Sequence, residues 1–130
     1  MILLRTILGF VVAAFLIISS FMHSILGWKS ISGQLHDAHA PEELTANLAL
    51  AWHLGGAAMF TFGMLLLVLF ARFLKNRATP LWLGQLVALF YTGFGIWSFA
   101  ASRNPFFAIM FITPGVLLLF ATTTRAPSTP

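Results

Sequence analysis

The sequence predicts an all-α fold: one antiparallel bundle of four transmembrane helices, with both termini on the cytoplasmic side. Three observations carry this. The 130-residue chain is 59% hydrophobic and only 8% charged, whereas a soluble domain carries about 25% charged residues. Four uncharged stretches, 6–28, 44–71, 78–102 and 104–124, lie between its charges. Each reaches the roughly 20 residues that a helix needs to cross a bilayer. Of the cations, Arg5, Arg72, Lys75, Arg77 and Arg125 fall on one side of the resulting topology. Lys29 and Arg103 fall on the other, with all three acids, Asp37, Glu42 and Glu43. The positive-inside rule then places both termini in the cytoplasm of an inner (plasma) membrane protein.

The spans must be helices, because hydrocarbon offers no partner for unpaired backbone groups and four strands cannot close a barrel. The first is expected over about 3–27. Its apolar run continues to Leu26 with no A-x-A-like site after it, which fits an uncleaved signal anchor. The second is expected over about 41–75. Pro41 suits a first turn, Glu42 and Glu43 lie beside the positive end of the helix dipole, and the cations lie at its other end. The stretch 29–43 reads as an outer loop. The third helix is expected over 80–102, opened by Pro80. The fourth is expected over 105–122, opened by Asn104-Pro105, with a kink at Thr113-Pro114-Gly115. Residues 1–124 form one bundle on this reading, and 123–130 form a polar, Pro-rich tail expected to be disordered.

Lipid is as apolar as Leu, so close contact along small residues must hold such helices together. Helical spacing gives three inward-facing stripes. Ser20, His23, Ser24 and Gly27 share a face of the first helix. Ala49, His53, Gly56, Phe60 and Gly63 share one of the second. Gly84, Ala88, Tyr91, Gly95, Ser98 and Ser102 share one of the third. The fourth helix offers only Thr113 and Gly115 and is expected at the periphery.

Four histidines are the candidate chemistry. His23 and His53 lie about 6 and 8 Å below the outer boundary at 1.5 Å per residue, each on its helix's small-residue face. The two rings are therefore expected to meet inside the bundle. An ionisable group at membrane depth marks a site by default. Neutral imidazole can bind haem iron or a transition metal, or relay a proton. It can also simply hydrogen-bond across the interface, with no cofactor. His36, Asp37 and His39 in the outer loop suit a metal such as Zn or Cu by donor type. No carboxylate lies within a span, which argues against an exporter working through a membrane-embedded Glu. There is no cysteine, hence no CxxCH haem attachment. There is no phosphate-binding Gly loop, nucleophile elbow or HExxH motif.

The segment His23-Ser24-Ile25-Leu26-Gly27-Trp28, followed by Ala51-Trp52-His53, resembles a pattern in small uncharacterised bacterial four-helix membrane proteins. A histidine and a glycine end the first span there, and a Trp-His pair opens the second. The resemblance implies an inner-membrane location and a four-helix bundle. The functional expectation is a non-enzymatic accessory subunit or a homo-oligomeric membrane component with a histidine-lined interior. A haem- or metal-binding redox protein using His23 and His53 is one alternative. A small oligomeric transporter or channel with protonatable histidines is another. The partners expected are the lipid bilayer and a second copy or a partner membrane protein, with no nucleic acid.

Overall fold

The computed structural model describes residues 2–75 and 77–123, and they form four helical runs with no strand among them. We label these α1 (Ile2–Asp37), α2 (Glu42–Leu74), α3 (Trp82–Ser102) and α4 (Pro105–Thr122). All four are long and apolar enough to cross a membrane. The expected tail falls almost wholly on residues 124–130, outside the described residues; Thr123 itself is extended and closes α4.

One boundary differs from the sequence expectation. The first helix does not stop at 27 but runs to Asp37, so the connection to α2 is residues 38–41 and not a loop over 29–43. Gly33 and two serines, Ser30 and Ser32, read as loop by composition. Yet no proline interrupts 28–37, and a helix satisfies each backbone group there. His39 takes a left-handed backbone conformation (φ 53°) at the turn, and the Pro41 carbonyl accepts the Thr45 N–H at 3.1 Å to start α2. The α3–α4 turn works similarly. Arg103 is left-handed (φ 56°), and the Asn104 side chain caps α4 by accepting the Phe106 N–H at 3.0 Å.

Two helices contain a π-type turn: Met22–Gly27 in α1 and Ala108–Ile112 in α4. The second directly precedes Thr113-Pro114, where Pro114 lacks an N–H and its ring crowds the preceding turn. A widened turn is one way a helix absorbs that loss.

Packing divides the chain into two compact units: Ala13–Leu65, and Met1–Val12 with Leu66–Pro130. The first unit is built from parts of α1 and α2. Its close approaches run along small residues. A Cβ on Gly63 would lie 2.6 Å from Ile17 Cγ1 and 3.0 Å from the Ala13 carbonyl oxygen. A Cβ on Gly56 would run into Ser24 Oγ and lie 3.4 Å from the Ser20 carbonyl oxygen. Phe21 and Phe60 meet edge to face at 5.8 Å.

The second unit combines the start of α1 and the end of α2 with α3 and α4. Its core includes Leu66, Leu69, Phe70, Val87, Ala88, Tyr91, Leu118 and Ala121, all buried. Gly115 meets the Thr92 backbone nitrogen, which a Cβ would approach to 2.9 Å, and Gly95 meets the Ile112 nitrogen equally closely. Helix α4 is therefore not peripheral here. It buries Pro114, Gly115, Leu118, Ala121 and Thr122, and the short glycine contacts let α3 and α4 approach backbone to backbone. Arg5 closes the carboxyl end of α4. Its Nε donates to the Ala121 carbonyl at 3.1 Å, and its guanidinium also donates to the Thr123 carbonyl. A cation is favoured there by the orphan carbonyls and the dipole.

Candidate functional site: a crossed histidine–tryptophan clamp

The imidazole of His23 lies on the indole of Trp52, with ring centres 4.2 Å apart and planes 8° from parallel. Two hydrogen bonds run in opposite directions across this stack. Trp52 Nε1–H donates to the His23 carbonyl at 2.8 Å. His23 Nε2 lies 3.1 Å from the Trp52 carbonyl oxygen. A carbonyl oxygen can only accept, so Nε2 carries the hydrogen and Nδ1 of the neutral ring keeps the lone pair. Each residue thus anchors the other's backbone, and the indole N–H has the partner that a half-buried Trp needs.

The local sequence makes room for this. Gly27 leaves space for Trp52: a Cβ there would fall 2.9 Å from indole Cζ2. Gly55 leaves its backbone close to His23 Nε2, at 3.4 Å from where a Cβ would sit. The π-type turn begins at Met22, and within it the His23 carbonyl also accepts the Trp28 N–H. One carbonyl, with two lone pairs, therefore serves both a helix bond and the indole.

His53, one residue further, meets the other indole by ring contact alone. Its ring lies 5.6 Å from that of Trp28, tilted by 55°. The pairing is crossed, His23 with Trp52 and Trp28 with His53, where the sequence predicts imidazole facing imidazole. His53 is exposed rather than inward. The partners that sequence reasoning missed are Trp52 and Trp28. The available signal was the need of two span-end indoles for acceptors, beside Gly27 on the facing helix.

The outer-loop set fares differently. His36 Nδ1 lies 3.6 Å from Asp37 Oδ1, and both side chains are exposed, 89% and 86%. His39 Nδ1 turns back to donate to the His36 carbonyl at 3.3 Å. Among the described residues no three His, Asp or Glu side chains gather closely enough to hold a metal ion, so His36, Asp37 and His39 do not assemble into a three-ligand site. Their backbone is helix end and tight turn, which aims the ring of His39 at the backbone.

The packing residues stand as follows. Gly27, Gly56 and Gly63 make close approaches in one unit; Gly84, Gly95 and buried Tyr91 and Ser98 do so in the other. Ser20 Oγ donates to the Ile17 carbonyl at 2.6 Å within its own helix, and Ser24 Oγ faces Gly56.

No family model, no curated protein and no solved structure matches this chain.

Proposed function

We propose that this chain is a small integral protein of the inner (plasma) membrane. Its helices cross antiparallel, both termini are cytoplasmic, and it acts as a non-enzymatic accessory or homo-oligomeric component. The observation that carries the reading is the reciprocal clamp. Both ring donors of the half-buried pair, His23 Nε2–H and Trp52 Nε1–H, are committed to main-chain carbonyls. That use of a span histidine fastens one helix to the next, with the Nε2 proton already held by the Trp52 carbonyl. The kinship with small four-helix bacterial membrane proteins belongs to the same proposal.

The partner half of the proposal rests on exposure. In the most apolar window of each span only 28–33% of residues are buried. The remaining apolar surface needs lipid or another polypeptide against it. Native mass spectrometry from mild detergent tests this. A discrete homo-oligomer, or one reproducible membrane complex, is the expected result. A monomer without partners would overturn the accessory reading. A Soret band lost in both His23→Ala and His53→Ala would replace it with haem ligation, which would have to use His23 Nδ1 or break the bond to Trp52.

A further inference from the structure

The acidic end of the Ala13–Leu65 unit holds a cleft that shares only Trp28 with the clamp. Its volume is about 390 Å³, and it is lined by Trp28, Ser32, His36, Glu42, Thr45 and Ala49 among others. That size falls in the range of small-molecule sites. The α1 contributors, Trp28, Ser32 and His36, recur every four residues and so form one helix face. The continuation of α1 past residue 27 builds that wall, and the cleft would not exist had 29–43 been a loop.

We propose that this cleft binds an organic ammonium group, with the indole of Trp28 and the carboxylate of Glu42 as its recognition elements. Three observations support the cationic class. Among the described residues no cation pairs with Glu42, whereas the His36 ring lies beside Asp37. The three acids of the whole chain, Asp37, Glu42 and Glu43, fall within seven residues of one another here, against Lys29 alone. Trp28 lines the same cleft, and an ammonium gains from an indole quadrupole what a neutral molecule of equal shape does not. Ser32 and Thr45 add hydroxyl oxygens as acceptors, although Ser32 Oγ also donates to Lys29 and Thr45 Oγ1 to Pro41 in their own helices.

The same chemistry can come from a free amine or from the headgroup of a zwitterionic lipid, and the test separates them. The full chain in maltoside micelles is titrated with choline and with its neutral isostere 3,3-dimethylbutan-1-ol, following the Trp28 indole N–H resonance. Choline is expected to give a saturable shift and the isostere none. Glu42→Gln is expected to weaken choline about three- to fivefold, the worth of a partly exposed ion pair. Trp28→Leu is expected to weaken it about tenfold, and its binding is followed through the Thr45 amide. If only nanodiscs containing phosphatidylcholine shift the resonance, the cation is a lipid headgroup and the cleft assignment stands. Equal shifts from choline and its isostere, or a Glu42→Gln variant indistinguishable from the parent while its circular dichroism is unchanged, would overturn the proposal.

Discussion

Replacing His23 by Phe keeps a flat ring against Trp52 and removes the Nε2–H donor, so the change isolates one hydrogen bond of the clamp. Replacing Trp52 by Phe does the same for the indole bond. Each is expected to lower stability by about 1 kcal/mol, the scale of side-chain hydrogen bonds between membrane helices. Because the two bonds share one ring stack, the double variant should lose less than the sum, with a coupling of about 0.5 kcal/mol or more. Unfolding in mixed micelles followed by circular dichroism measures this. A His23→Phe variant as stable as the parent would show that the bond to the Trp52 carbonyl contributes nothing. The sequence marks His23 as a special residue from its depth, its ionisable ring and its place on the small-residue face, and expects His53 opposite it, where the ring stacked on it is that of Trp52. The reason is geometric. On α1 the predicted face does meet α2, through His23, Ser24 and Gly27, but on α2 it is Trp52 that stacks on His23, and His53 beside it is exposed.

Helices differ in how closely they approach one another, and their glycines sort accordingly. Gly115→Ala would drive a methyl group toward the Thr92 nitrogen and the Ala88 carbonyl oxygen, at 2.9 and 3.0 Å. Backbone cannot swing aside as a side chain can, so a loss of about 1–3 kcal/mol is expected. Gly93 in α3, where an added Cβ would have no neighbour within 4 Å, is the control. Gly93→Ala should leave stability unchanged or raise it by up to about 1 kcal/mol, since Ala is the better helix former. Thermal melts in detergent compare the two, and equal effects would refute the close-contact account. At the end of α4, Arg5→Ala removes the donors to Ala121 and Thr123. Loss of a capping cation is worth about 0.3–1 kcal/mol, so amide exchange at Thr122 and Thr123 should quicken about two- to fivefold. Spans of this kind were legible because charges are so sparse that the gaps between them mark the helices. The burial of α4 was not, since Leu118, Ala121 and Thr122 carry its contacts and a search for glycine and serine stripes passes over them.

At the scale of the whole molecule, the absence of cysteine makes the proposed topology directly measurable. Gly33 has open space around an added side chain, and Ala78 is exposed between α2 and α3. In intact cells a membrane-impermeant maleimide is expected to label Gly33→Cys and not Ala78→Cys, which should react only after permeabilisation. The reverse pattern would invert the orientation, and labelling of both in intact cells would break the four-span reading. The charge asymmetry that underlies this expectation is visible in the sequence at once. What covers the outward apolar surface is not, because lipid and a partner helix select the same side chains.

The widened turn in α1 has a last consequence. A π-type turn amounts to one residue more than the α ladder accommodates, and each residue of an α-helix advances the azimuth by about 100°. Excising a single residue from Met22–Gly27 would let that segment relax to ordinary α geometry. Trp28, Ser32 and His36 would then keep their direction toward the cleft more nearly than after a deletion elsewhere in α1. This stretch is thus the helix's natural tolerance point for length change, and a one-residue deletion scan along residues 14–36 should find its mildest loss of folded yield there.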